Sequence, residues 1–143
     1  MQRPKHYNAH PSGVECIEII EHMTFNLGNA MKYLWRGGLK NTDATQDLEK
    51  ALWYLRRSFE NDTAFLTVIG PAAMHFREIM ADRKHIFNRP SPWCEPIRNA
   101  IAAICDIHAG RDVRERIRLT ERAIMCVETA IADERCMGRG MEP

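Results

Sequence analysis

The sequence lacks the features that define several large classes of protein. None of its five cysteines forms a CxxC pair, so no structural zinc site is expected and buried free thiols are the favoured interpretation. No apolar run approaches the roughly 20 residues that span a bilayer. The first residues also lack the apolar core of a signal peptide. These absences predict a soluble protein of the cytoplasm that has no membrane partner.

Neither sign of charge dominates the chain. It carries 20 Lys+Arg against 19 Asp+Glu, which gives a formal net charge of +1. Proteins that coat nucleic acid through bulk charge need a clear positive excess. Bulk nucleic acid is therefore not an expected partner.

The short motifs of several well-known catalytic sites are also missing. The sequence has no GxxxxGK[ST] phosphate loop and no GxGxxG turn, and it has neither HExxH nor GxSxG. A conventional P-loop kinase is therefore excluded. Any phosphoryl transfer would have to rely on cationic side chains for positioning and charge stabilisation.

What the sequence contains is typical of an all-α protein. Its 143 residues suit one domain, and apolar residues recur at helical spacing along most of the chain. We predict a compact helical module at residues 1–62 and a helical extension at 63–143, with the alternative that both parts pack as one domain. Helices are predicted at residues 12–22, 24–36, 42–59, 70–84, 93–109 and 112–136. A capping box at Ser12–Glu15 begins the first of them, and Gly37–Gly38 ends the second.

The second predicted helix has one apolar face and one polar face. At about 100° per residue, the polar face presents an amide, a phenol and three cations: Asn29, Tyr33, Lys32, Arg36 and Lys40. Arginine and lysine suit phosphate oxygens, and the amide and phenol can contact a base or sugar. No acid occurs between His22 and Thr42, although solvated helix faces usually alternate in sign. The pattern favours a nucleotide-phosphate site over the alternative of an ordinary solvated face.

Two further segments offer supporting residues. On the third predicted helix, Asp47, Lys50, Tyr54 and Arg57 share one face, and Asp47 could orient Arg36 or Lys32 across the helical hairpin. A purely structural salt bridge is the alternative. The N-terminal arm carries His6 and Tyr7, which could close over a ligand or reach a neighbouring subunit. A mobile arm without function is the alternative.

Two other charged patterns have weaker functional interpretations. Glu15, Glu18 and Glu21 recur every three residues and could hold magnesium, but we favour a solvated face and assign no metal ligand. Arginines recur on one face of the sixth predicted helix, at Arg111, Arg114, Arg118 and Arg122. We favour a solvent or subunit-contact face there, with a second phosphate contact as the alternative.

The N-terminal two fifths of the chain resemble a family of bacteriophage proteins. The resemblance covers about residues 5–60 and is carried by His6–Tyr7, Gly13–Glu18, Phe25–Lys40 and Asp47–Leu55. These segments are similar to the small SaV-like phage family, to which the T7-type phage nucleotide kinase is related. The resemblance implies a viral, oligomeric protein that handles nucleotides in the cytoplasm of an infected bacterium.

Three functions follow as hypotheses. The first is a nucleotide kinase without a P-loop, which would use a nucleoside triphosphate, and Mg²⁺ with it, as phosphate donor. The second is a non-catalytic anti-defence sponge that sequesters a cyclic or ADP-ribose-type nucleotide messenger. The third is an adaptor that binds a host protein through exposed apolar positions on the last two predicted helices, which we expect to form a helical hairpin. No residue stands out as a general base, so the catalytic residues are left unassigned.

Overall fold

The chain folds into helices throughout the part that the structure describes. The structure is a computed structural model that describes residues 10–40, 42–62, 71–109 and 112–133. Within these ranges it contains six α-helices and one short 3-10 helix, and it contains no strand. The prediction of an all-α fold is therefore confirmed. The segment at 63–69, between the third and fourth predicted helices, lies outside the described residues.

The helices follow the predicted order with shifted ends. They are α1 Ile17–Ile20, α2 Phe25–Leu39, α3 Thr45–Asn61, α4 Pro71–Arg83, α5 Glu95–His108 and α6 Val113–Ala132, with the 3-10 helix Lys84–Phe87 directly after α4. None of the described helices is both long and apolar enough to cross a membrane.

The predicted start of the first helix is wrong. Ser12 does not cap a helix; its backbone N–H donates to His10 Nδ1 over 3.1 Å, and its hydroxyl accepts from the Val14 N–H over 3.2 Å. Gly13 has a φ of 84°, a left-handed conformation that glycine adopts without strain. Short side chains that bond nearby backbone groups compete with helix formation, so a turn forms here and α1 begins only at Ile17.

The predicted end of the second helix is also wrong. Gly37 and Gly38 lie within the last turn of α2, which continues to Leu39. A Cβ added at Gly37 would lie 3.1 Å from the Asp47 Cβ, and one at Gly38 would overlap the Trp93 ring. The two glycines therefore allow close approach of neighbouring elements and do not break the helix.

Four long helices surround one core. α2 packs against α3 and α5, and α6 packs against α5 and α3, so each of the four contacts two others. The core between them contains fully buried side chains from every one of these helices, among them Trp35, Leu55, Ile101 and Val127. Helices from both predicted parts of the chain, residues 1–62 and 63–143, thus contribute to one core. The division of the chain into a module and an extension at residue 62 stays a prediction.

The cysteines only partly follow the expected pattern. Cys16 and Cys105 are buried free thiols, and burial raises the pKa of the Cys16 thiol to about 12. Burial also raises the pKa of Cys105. Cys94 is disulfide-bonded, so the expectation of free thiols is wrong there.

The N-cap of α6 gives a first testable prediction. Asp112 Oδ1 accepts a hydrogen bond from the Glu115 N–H over 2.8 Å, as the sequence predicted for this position. We expect Asp112→Ala to lower the free energy of unfolding by about 1 kcal/mol, because an N–H of the first turn loses its acceptor. Chemical denaturation would measure the change. Asp112→Asn is the matched control and should stay near wild type; equal losses in both variants would contradict the capping role.

Candidate functional site

The candidate site lies on the outer side of the α2–α3 pair. The inner face of α2 is fixed by Leu27, Met31, Leu34 and Trp35, all of which are fully buried. Because side chains repeat every 3.6 residues, this burial turns the opposite face of α2 outward. Lys32, Tyr33, Arg36 and Lys40 are half-buried at this outer surface.

A buried carboxylate holds two of the predicted phosphate-binding cations. The Asp47 side chain is only 4% exposed, and its Oδ2 lies 2.6 Å from Lys40 Nζ and 3.6 Å from Arg36 Nε. The expected pairing of Asp47 with Arg36 across the hairpin is thus present, whereas Lys32 lies elsewhere. Asp47 compensates one of the two positive charges, so this corner keeps a local charge of about +1.

A stacked pair of tyrosines lies beside this corner. The rings of Tyr33 and Tyr54 are nearly parallel, with an interplanar angle of 12° and centroids 6.0 Å apart. Lys32 Nζ lies 4.8 Å from the Tyr33 ring centroid, and Lys50 Nζ lies 5.4 Å from it. These distances suit cation–π contacts. The structure therefore places two of the predicted cations over the ring of Tyr33 and stacks the two predicted tyrosines on each other.

The remaining predicted residues are not all brought into the site. Asn29 Nδ2 donates to the Phe25 carbonyl over 2.8 Å, one turn back along α2, so one amide hydrogen already has an acceptor. His6 and Tyr7 lie outside the described residues.

The sequence interpretation missed two side chains at the same surface. Phe25 is 75% exposed and Trp53 is 57% exposed. The Tyr54 ring lies edge-on to both, at centroid distances of 6.2 Å and 5.0 Å, and the Arg57 guanidinium carbon lies 5.8 Å from the Trp53 ring. The helical wheel could have indicated Phe25, because at 100° per residue it falls on the polar face of α2.

The weaker charged patterns have structural partners. Glu18 Oε2 accepts from the Glu15 N–H over 2.7 Å, and Glu18 Oε1 lies 3.3 Å from Arg83 Nε. No group of three or more potential metal ligands occurs among the described residues. The glutamate series therefore joins α1 to α4 through at least one ion pair.

A groove of about 530 Å³ lies between α5 and α6. The arginine series reaches it through Arg118 and Arg122, but Glu95 and Glu121 also line it, so these four charges cancel. Met125 in the same groove is 67% exposed, a feature that the adaptor hypothesis would need. Since its charges cancel, this groove is a poorer match to an anionic ligand than the α2–α3 surface is.

His108 at the end of α5 accepts a hydrogen bond from the residue that precedes α2. Thr24 precedes α2 but makes no side-chain cap; its backbone N–H donates instead to His108 Nε2 over 3.2 Å. His108 Nδ1 lies 3.2 Å from the Ile104 carbonyl. This geometry fits a neutral ring whose proton is on Nδ1. Burial lowers the pKa of His108 from 6.5 to about 4.

In the comparison with known proteins, a protein-family model matches the segment that carries most of this surface. Residues 1–56 are similar to a family described as a protein of unknown function (DUF3310). This range includes α1, α2 and most of α3. No curated protein and no solved structure matches the chain.

Proposed function

We propose that this protein binds the phosphates of a nucleotide on the α2–α3 surface and acts as a nucleotide kinase without a P-loop. The observation that supports it best is the stacked Tyr33–Tyr54 pair, with Lys32 and Lys50 over the Tyr33 ring. Aromatic rings bind bases and cations bind phosphates, and this surface presents both. The proposal also rests on the resemblance of residues 5–60 to the phage family.

The predicted residues have separate roles in this proposal. Lys32 and Arg36 hold phosphate oxygens, and Lys40 supports Arg36 through their shared partner, Asp47. Lys50 and Tyr54 complete the site from α3. Asn29, Tyr33, His6 and Tyr7 contact the base or ribose. The protein acts as a homo-oligomer in the cytoplasm of an infected bacterium.

In the kinase reaction, a phosphate oxygen of the acceptor nucleotide attacks the γ-phosphorus of a nucleoside triphosphate. The new P–O bond forms as the bond to the donor's β-phosphate oxygen breaks, which leaves a nucleoside diphosphate. Mg²⁺ arrives with the triphosphate. The cations of the surface stabilise the charge that develops on the transferred group.

A second candidate is a sponge that binds a cyclic or ADP-ribose-type nucleotide without changing it. It is favoured by the state of Asp47, because this carboxylate is buried beside two cations. A carboxylate in this position keeps Arg36 and Lys40 in place to bind an anionic ligand. Sequestration needs affinity alone, and the same phosphate and base contacts would supply it.

Removal of two cations tests the site. We expect Lys32→Ala combined with Arg36→Ala to weaken nucleotide binding by about 30-fold, since each charged contact contributes on the order of 1 kcal/mol. Calorimetry with a nucleotide panel, including cyclic and ADP-ribose-type ligands, would measure it. Helix content by circular dichroism should not change.

The matched control lies on α6. Arg114 and Arg118 are exposed and have the same four-residue spacing, so Arg114→Ala with Arg118→Ala removes equal charge elsewhere. Loss of binding in the control but not in the α2 variant would move the site to α6 and contradict the proposal. Phosphorylated products would support the kinase, and intact ligand recovered after denaturation would support the sponge.

A further inference from the structure

We infer that the aromatic cluster of the exposed Phe25 and Trp53 and the half-buried Tyr54 stacks on the base of the ligand, so that the surface selects nucleoside polyphosphates over phosphate compounds without a base. This inference rests on the proposed function. It assigns the base to residues at the end of the α2–α3 surface that lies away from Arg36 and Lys40.

The exposure of these rings is the first argument. A buried aromatic side chain removes a large apolar area from water, yet Phe25 and Trp53 are 75% and 57% exposed. Both rings lie at one place, because each contacts Tyr54 edge-on. Large apolar side chains that cluster on a surface are typical of binding sites.

The charges around the cluster select the kind of ligand. Arg57 lies 5.8 Å from the Trp53 ring, and Lys50 lies at the Tyr33 ring that stacks on Tyr54. An apolar peptide or an acyl chain would offer these cations no anionic group. A planar base joined to phosphates would satisfy both the rings and the cations.

The length of the surface agrees with such a ligand. Phe25 and Arg36 are eleven residues apart on α2, which corresponds to about 16 Å along the helix axis. Lys32 lies between them. A nucleoside polyphosphate is elongated, with its base at one end and its terminal phosphate at the other. Its base would therefore lie at the aromatic rings and its phosphates at the cations further along α2.

Tryptophan fluorescence gives a direct test, because the three tryptophans differ in exposure. Trp35 and Trp93 are 0% and 2% exposed, whereas Trp53 is 57% exposed. Quenching by acrylamide will therefore report mainly on Trp53. We expect a nucleoside triphosphate to shield Trp53 from acrylamide, and inorganic tripolyphosphate, which has no base, to leave the quenching unchanged.

Affinity gives the second readout. We expect Trp53→Ala to weaken binding of the nucleoside triphosphate by about tenfold, or about 1.4 kcal/mol, within the range for loss of one stacked base. Binding of tripolyphosphate should not change, and Trp53→Phe should retain most of the affinity. Met125→Ala is the matched control, because it removes an exposed apolar side chain from α6.

The outcomes separate this inference from the proposed function. Equal affinities for triphosphate and tripolyphosphate, both lost in the Lys32→Ala, Arg36→Ala variant, would overturn the inference and leave the proposed function standing. No binding of either probe would remove both. Affinity that rises steadily with oligonucleotide length, or an oligomer that dissociates in Trp53→Ala, would also overturn it, in favour of single-stranded nucleic acid or of self-association.

Discussion

Acidification from about pH 7 to about pH 4 is expected to lower the free energy of unfolding by about 2–3 kcal/mol through one side chain, His108. The pKa of this imidazole falls from 6.5 to about 4 on folding because burial disfavours the charged ring. Protonation of Nε2 would also remove the acceptor of the Thr24 N–H. Chemical denaturation over this pH range would measure the effect.

The direction follows from proton binding. In the unfolded chain the imidazole takes up a proton near pH 6.5, whereas in the folded chain it does so only near pH 4. Between these values the unfolded state binds more protons, so stability falls as the pH falls. Above pH 6.5 the ring is neutral in both states, and His108 contributes no pH dependence. The two pKa values correspond to about 3 kcal/mol, and the partial exposure of the ring reduces the expected loss towards 2 kcal/mol.

Other groups titrate in the same range, so the comparison must be made between variants. Burial lowers the pKa of His10 as well, which acts in the same direction, and burial raises the pKa of Asp106, which acts in the opposite one. His108→Gln keeps an acceptor and a donor but cannot become charged, so its stability should vary less with pH by about 2–3 kcal/mol. His75→Gln, at an exposed position on α4, is the control and should behave as wild type. A His108→Gln variant with the wild-type pH dependence would refute this role.

The elements that sequence predicts well are those set by local patterns. The apolar repeat of α2 predicts both the helix and the side that faces the core, and the cap of α6 needs only Asp112 and the amide three residues later. The contact between His108 and Thr24 joins residues 84 positions apart, and no local pattern indicates it. The turn at His10–Gly13 is also local. Ser12 could either cap a helix or bond within a turn, and the sequence does not show which of the two is more stable.

The candidate site shows the same division. The polar face of α2 could be predicted from spacing alone, and so could a pairing of Asp47 across the hairpin. Which cation Asp47 would meet depended on how closely the helices approach, because Arg36 and Lys40 lie beside it while Lys32 lies over the Tyr33 ring. Phe25 and Trp53 were missed because large apolar residues usually belong to the core.

The glycines of α2 show most directly how packing overrides a local signal. Gly38→Ala is expected to lower the free energy of unfolding by about 2 kcal/mol. The new Cβ would overlap the Trp93 ring and lie 3.0 Å from Ile97 Cγ2. Trp93 is 2% exposed and packs edge-on against Trp35 at 5.1 Å, so its ring has little room to move. Overpacking costs about 1–3 kcal/mol, and the helix propensity of alanine, worth about 1 kcal/mol, offsets only part of that.

Two other glycines in the same helix provide matched controls for Gly38→Ala. A Cβ at Gly28 would lie 3.5 Å from the Ile20 carbonyl oxygen, an ordinary contact, so Gly28→Ala should stabilise the protein by about 0.5–1 kcal/mol. Gly37→Ala, with its 3.1 Å approach to Asp47, should fall between the two. Chemical denaturation followed by circular dichroism would give the order, with about 3 kcal/mol between the extremes. Equal stability of the Gly28 and Gly38 variants would show that α2 and the segment before α5 do not approach closely.

A double variant tests whether the clash with Trp93 is the cause. Adding Trp93→Phe to Gly38→Ala should then lower the free energy of unfolding by less than the sum of the two single changes, because residues in contact are coupled.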